Sequence, residues 1–166
     1  GKVYDIISTK KLMEKDLLSD LEIECITLKY TPEEIQEVKR VAYQEELKWI
    51  VENEKRNKFL SDLCCTVHGN ILMLFNFVEN HGKPLYNTIS KQCSGKRKVF
   101  FIYGGTDTQQ REKIRQVIDK EKNAILIASY GTCSTGINIK NIHNIIFASP
   151  SKSVIRVLQS IGRGLR

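Results

Sequence analysis

Short apolar runs interleaved with helical patterns constrain the fold of this chain more than any other feature. The four runs cover residues 71–78, 98–103, 124–128 and 144–148. Continuous apolar runs of this length are typical of strands that are covered on both faces. Helical patterns lie at 84–92 and 107–120, and a last helix begins at Ser151 or Ser153 and leads to Gln159. This order predicts an α/β fold, a parallel sheet with helices on both faces.

The segment before the first predicted strand has mostly helical spacing. Residues 31–34, Thr-Pro-Glu-Glu, have the pattern of a helix start. The threonine can cap the helix N-terminus, the proline fits the first helical position, and Glu34 completes a capping box. Helical spacing continues to about Val67 and breaks near Asn53, which predicts two helices.

The first thirty residues have a different pattern. Residues 3–7 and 21–28 have the spacing of strands, and Ser8-Thr9 can cap a short helix through Leu18. We expect residues 1–30 to lead into the domain as a return from something upstream, and residues 31–166 to form one domain.

Composition indicates a globular domain with a basic surface. A chain of 166 residues, 41% hydrophobic and 27% charged, is long enough to bury a core. No apolar run approaches the roughly 20 residues that span a bilayer, and no signal peptide is recognised at the start. The net charge of +7 favours a polyanionic partner. Five cysteines without a C-x-x-C pair suit reduced thiols, so we expect a cytoplasmic protein.

Polar loops follow the predicted strands at their carboxyl ends, where parallel sheets bind their ligands. The loop from Ser129 to Asn138 is rich in hydroxyl groups, which can bind a phosphate or a nucleic-acid backbone, and Asn138 could bond a ribose hydroxyl. The turn 104–107, with Arg111 one helical turn further on, offers a helix N-terminus to an anion. A flexible surface loop and a plain capped turn are the alternatives for these two segments.

The motif Q-x-x-G-R-x-x-R covers residues 159–166. Its arginines, Arg163 and Arg166, can aim two planar guanidinium groups at one small anion. Gly162 removes side-chain bulk beside them. The alternative is an ordinary basic helix end, which the helix dipole favours.

Several familiar active sites do not match this sequence. It contains no G-x-x-x-x-G-K-[ST] loop and no acidic strand end, so it cannot hold a nucleotide with Mg²⁺ by itself and looks like half of an active site. It also lacks a G-x-S-x-G elbow, a G-x-G-x-x-G turn and paired carboxylates at strand ends, and none of its three histidines has an obvious partner. Cys64 and His68 have zinc-like spacing, but Cys64 lies on an apolar helix face and no further ligands are in register, so no metal site is predicted.

Taken together, these motifs resemble the second RecA-like lobe of superfamily 2 helicases and translocases, and in particular the UvsW type of phage recombination helicase, which remodels branched DNA. The resemblance covers nearly all of the chain from about residue 31. Residues 70–77 are similar to the strand of motif IV, the hydroxyl-rich loop is similar to motif V, and residues 159–166 are similar to motif VI.

This resemblance implies roles for individual residues. Arg166 would be the arginine finger, with Arg163 and Gln159 beside it in the catalytic site. The other implied contacts are with the nucleotide, at Gly136, Asn138 and Gly162, and with nucleic acid, at Gly105, Arg111, Thr132 and Thr135.

The resemblance also implies an activity. The chain would be the C-terminal motor lobe of an ATP-dependent DNA helicase of the phage type, working on branched or duplex DNA in the host cytoplasm. ATP with Mg²⁺ would be bound mainly by an N-terminal RecA-like lobe of the same polypeptide. The alternative is a noncatalytic, basic nucleic-acid-binding module on a degenerate RecA-like scaffold. Oligomeric state stays open.

Overall fold

The computed structural model of the chain describes residues 9–15, 19–136 and 139–162. Its centre is a four-stranded parallel sheet in the order β2-β3-β1-β4. The strands are β1 (Ile71–Phe75), β2 (Val99–Ile102), β3 (Ile125–Ser129) and β4 (Asn144–Phe147). All four predicted strands are confirmed, with ends that shift by a few residues.

Eight α-helices are found among the described residues. They are α1 (Thr9–Met13), α2 (Pro32–Val38), α3 (Tyr43–Glu52), α4 (Glu54–Thr66), α5 (Lys83–Gln92), α6 (Thr108–Ile118), α7 (Tyr130–Gly136) and α8 (Val154–Ile161). A π-helical turn, Val78–Gly82, connects β1 to α5. In the part of the chain that is described, no helix has the length and apolarity needed to cross a membrane.

The sheet is covered on both faces, as predicted, because alternate residues of each strand point to opposite sides. Met73 and Phe75 of β1 pack into one apolar cluster with α4 and α5. Leu72 and Leu74 pack into the other, with α6 and α7. Each of these side chains is almost fully buried, and burial of one such side chain contributes about 1.5–3 kcal/mol.

The amino ends of the strands are held by buried polar side chains. The Nδ2 group of the fully buried Asn70 donates to the carbonyls of Glu121 and Asn141, each at 2.7 Å, and its Oδ1 accepts from the Ala124 amide at 2.7 Å. Arg97 donates to four backbone carbonyls, which belong to Cys64 near the end of α4 and to Val67, Gly69 and Asn123. These contacts fix the sheet at the edge opposite its polar loops.

The helical region before β1 matches the prediction in two of three respects. Thr31 and Glu34 form the expected capping box, and Asn53 interrupts the helix and caps α4 through a 2.9 Å bond from the Arg56 amide. The prediction of two helices was wrong, because the chain also breaks at residues 39–42. The Ala42 amide donates to Glu45 Oε2 at 3.2 Å there, which starts a new helix.

Two further predictions were wrong. Residues 21–28 form no strand, and Ile23 in that segment is 67% exposed. An alternating run becomes a strand only when another strand pairs with it, and none does so among the described residues. The segment 130–136, expected to be a polar loop, is helix α7, because Tyr130 and Cys133 turn a buried side to the sheet. The predicted strand 3–7 and residues 16–18 lie outside the described residues.

Candidate functional site

Polar segments follow all four strands at one edge of the sheet. Asn76, Tyr103, Tyr130 and Ala148 are the first residues after β1, β2, β3 and β4. Since the strands are parallel, these segments lie side by side, as the sequence predicts for a ligand-binding edge.

The turn after β2 is braced by Arg111. Its Nε donates to the Thr106 carbonyl at 2.8 Å, and its Nη2 donates to the carbonyls of Gly104 at 2.9 Å and Tyr103 at 3.2 Å. Its Nη1 makes no hydrogen bond to the described residues. Gly105 is exposed, and the Tyr103 ring lies so close that an added Cβ would come within 2.6 Å of it.

For the turn before α6, the sequence left open an anion site or a plain capped turn, and the structure shows the capped turn. Asp107 Oδ2 accepts hydrogen bonds from the amides of Gln109 at 2.8 Å and Gln110 at 3.3 Å. Because a carboxylate already occupies these donors, the helix end offers little to an external anion.

The helix after β3 contains the residues predicted to contact nucleic acid. Thr132 is only 3% exposed, and its hydroxyl lies 2.7 Å from the hydroxyl of Ser129. That hydroxyl therefore bonds within the fold. Thr135 and Gly136 are the last two residues of α7. Asn138 lies outside the described residues.

Helix α8 contains the first part of the arginine motif. Gln159 and Gly162 are both exposed, and the Gly162 amide donates to the Leu158 carbonyl at 2.9 Å. Helix α8 packs against α7, so the structure brings the segments predicted to be motifs V and VI together. Arg163 and Arg166 lie outside the described residues.

A buried polar network behind this edge was missed by the sequence analysis. Ser149 Oγ accepts from the Asn76 amide at 3.0 Å and lies 2.9 Å from His81 Nδ1. His81 Nε2 lies 3.1 Å from Asn57 Oδ1. The sequence showed no obvious acid or nucleophile partner for any histidine, yet the structure places the Ser149 hydroxyl beside His81. The missed signal is a set of polar residues within or just after apolar runs.

His81 is neutral at ordinary pH. Burial, with a smaller effect from the nearby Arg56 charge, lowers the pKa of His81 to about 4. Burial also lowers the pKa of Arg56, whose Nη2 donates to the Ala148 carbonyl at 2.5 Å. Its buried Nη1 has no hydrogen-bond partner in the described part of the chain. A second positive charge beside this guanidinium is unfavourable.

Ser149, His81 and Asn57 have the connectivity of a hydrolytic triad, but their surroundings do not suit that chemistry. Ser149 is 2% exposed and His81 is completely buried, so a substrate has no access to the hydroxyl. An imidazole with a pKa of about 4 is also a weak base for a serine proton. The network is therefore structural.

Cys64 of the zinc-like pair has a structural role. Cys64 is completely buried in the cluster beneath α4 and α5, and this burial raises the pKa of its thiol to about 12. Within residues 9–15, 19–136 and 139–162, no three histidine, cysteine or acidic side chains are grouped to hold a metal ion.

Comparison with known proteins defines the class of this chain. Residues 54–166 match the helicase conserved C-terminal domain, so the chain belongs to that family. Over 169 aligned residues it is 37% identical to the ATP-dependent DNA helicase uvsW of Enterobacteria phage T4. This alignment includes all of the chain and 33% of its relative, so the chain spans about a third of the length of that protein.

The solved structures agree with this assignment. The crystal structure of T4 UvsW superposes with a TM-score of 0.70 at 36% identity, covering 81% of this chain and 27% of UvsW. The family resemblance seen in the sequence and the predicted α/β fold are both confirmed.

Proposed function

We propose that this chain is the C-terminal motor lobe of an ATP-dependent DNA helicase that remodels branched DNA. The observation that carries the proposal is the packing of α7 against α8, which joins the two segments that resemble motifs V and VI. Identity of 37% to a phage DNA helicase over the whole chain supports the same conclusion.

The described residues fit only one side of an ATP site. The residues that directly follow the four strands are Asn76, Tyr103, Tyr130 and Ala148, and none of them is a carboxylate that could hold Mg²⁺. Gln159 and Gly162, in contrast, are exposed beside the arginine motif. ATP with Mg²⁺ would therefore be held mainly by a first RecA-like lobe, N-terminal in the same polypeptide, with Gly136, Asn138 and Gly162 on the facing side.

The catalytic contribution of this lobe would come from its arginines. When the two lobes close, Arg166 and Arg163 would donate to the γ-phosphate oxygens, with Gln159 beside them. Guanidinium groups stabilise the charge that develops as the phosphoryl group transfers, and an arginine finger is worth on the order of 10³–10⁵ in rate. Opening and closing would shift this lobe along the DNA.

Nucleic acid would contact the same edge of the sheet. Arg111 has its Nη1 left for a phosphate, and the exposed backbone at Gly105 lies beside it. Thr135 would contact the DNA backbone, while Thr132, whose hydroxyl already bonds to Ser129, would act by shaping α7. The charge of +7 adds a salt-dependent, sequence-independent attraction to DNA.

ATP hydrolysis by the full-length protein that contains this chain tests the proposal. We expect strong stimulation by branched DNA and no hydrolysis by residues 1–166 alone. Robust hydrolysis by residues 1–166 would contradict the proposal that this chain supplies only one side of the ATP site. Stimulation by structured RNA alone would show that the motor works on RNA and not on DNA. Absence of turnover under every condition would favour the noncatalytic binding module.

A further inference from the structure

The segment that links β4 to α8 is held by side chains from four different elements. Arg56 of α4 donates to the Ala148 carbonyl, and Asn76, after β1, donates from its amide to Ser149 Oγ and from Nδ2 to the Pro150 carbonyl at 3.1 Å. His81 of the π-helical turn lies 2.9 Å from Ser149 Oγ. Tyr130 of α7 donates its hydroxyl to the Ser149 carbonyl at 3.0 Å. Ser149 is thus the residue on which most of these contacts converge.

The directions of these hydrogen bonds can be derived from the fixed donors. Asn57 donates from Nδ2 to the Val51 carbonyl at 2.8 Å, which turns its Oδ1 toward His81 as an acceptor. His81 must then be protonated on Nε2, and its Nδ1 accepts the Ser149 hydroxyl proton. Ser149 Oγ in turn accepts the Asn76 amide. Each of these four polar groups is satisfied in one arrangement only, so the network holds a single geometry.

We propose that Ser149 is a positioning residue for ATP hydrolysis, and that it sets the direction in which α8 leaves the sheet. Helix α8 begins at Val154, five residues after Ser149, and contains the first residues of the arginine motif. A small rotation at Ser149 would displace Arg163 and Arg166 from a γ-phosphate held by the other lobe. A displacement of this kind lowers the rate of the chemical step while leaving substrate binding nearly unchanged.

The bond from Tyr130 extends this role to the nucleic-acid side. Tyr130 is the first residue of α7, the helix that ends at Thr135 and Gly136, and it is 2% exposed. Through Ser149, the segments that resemble motifs V and VI are fixed to one common point. The inference rests on the proposed function, because it describes how the proposed arginines are aimed.

The test compares Ser149→Ala with Ser151→Ala in the full-length protein. Ser151 is a matched control in the same segment, since among the described residues its hydroxyl makes one local bond, accepted from the Ser153 amide at 3.3 Å. We expect Ser149→Ala to lower kcat for DNA-stimulated ATP hydrolysis at least about tenfold, with KM for ATP and the Kd for DNA little changed. Ser151→Ala should match the unchanged protein. Equal kcat in the two variants would overturn the proposal.

If Ser149→Ala does not fold, two variants of His81 test the buried hydrogen-bond network instead. His81→Asn keeps an acceptor at the position of Nδ1, toward Ser149, whereas His81→Gln keeps a donor at the position of Nε2, toward Asn57. We expect His81→Asn to retain more kcat than His81→Gln. The reverse order would contradict the role of Ser149.

Hydrogen exchange separates this inference from the proposed function. In Ser149→Ala, the amides of α8 should exchange faster, while those of α6, the helix between β2 and β3, should be unchanged. If the unchanged protein shows no ATP hydrolysis, the proposed function fails, and exchange still decides whether Ser149 holds α8. Unchanged exchange in α8 would refute the inference whatever the ATPase result.

Discussion

The hydroxyl of Tyr130 donates a 3.0 Å hydrogen bond to the carbonyl of Ser149. This contact joins the helix that follows β3 to the segment that follows β4, although the two residues are nineteen positions apart. The two strands are not neighbours in the sheet, since β1 lies between them. The bond therefore spans the carboxyl end of β1 and lies behind the proposed ligand site at the polar edge of the sheet.

The buried imidazole of His81 should make stability fall in mild acid. Its pKa is about 4 in the folded chain against an ordinary 6.5, so between these values only the unfolded chain binds the proton. Arg56 is the charged group that adds to this effect. Between pH 7 and pH 5 we expect the free energy of unfolding to fall by about 2 kcal/mol because of this imidazole.

Urea denaturation of the unchanged chain and of His81→Asn at both pH values measures this loss. The variant has no imidazole at this position, so its stability should fall less over the same interval. The same loss in both proteins would show that His81 is not the group responsible.

Gly82 should not tolerate a methyl group. Its backbone is in the ordinary helical region, with φ −61°, so the obstacle is space and not conformation. An added Cβ would lie 2.6 Å from the Phe75 ring in the centre of the sheet. We expect Gly82→Ala to cost about 1–3 kcal/mol of stability by overpacking.

Gly104→Ala is the control for this substitution, because no atom of the residues that the structure describes lies within 4 Å of its Cβ position. Its free energy of unfolding should stay within about 0.5 kcal/mol of that of the unchanged chain. Equal midpoints for the two alanine variants would contradict the packing described for Gly82.

Much of the fold could be predicted because the apolar runs are short and bounded by polar residues. Ile71 to Phe75 is buried on both faces, and the sequence of that run alone shows it. The capping box at Thr31 and Glu34 is equally local, since each of its hydrogen bonds spans three residues. Features of this kind need no knowledge of the rest of the chain.

The errors and omissions depend on contacts between distant residues. Ile23 lies in a segment with the alternation of a strand, but no strand of the described ranges pairs with that segment. The helix at Tyr130 forms over a buried surface that the sequence does not reveal. The bond between Ser149 and His81 spans 68 positions, and no local spacing indicates it. At Arg111 the sequence suggested an anion contact, and the structure adds a brace for the preceding turn.

Arg111 should contribute one direct contact to DNA in addition to this brace. In Arg111→Gln, the slope of log K against log salt concentration for DNA binding by the full-length protein should become smaller by about 1, the loss of one phosphate contact. Lys96→Gln, an exposed substitution after α5, removes the same charge away from the polar edge and serves as the control. An unchanged slope with weaker binding would mean that Arg111 only braces the turn.

The most direct test of the central claim is ATP hydrolysis by Arg166→Ala and Arg166→Lys in the full-length protein, with branched DNA present. The claim is that this lobe completes an ATP site with its arginines. We expect both variants to lose most turnover, on the order of 10³-fold for alanine, because lysine keeps the charge but not the planar fork. DNA binding should survive in both. Near-normal turnover in Arg166→Ala would contradict the account.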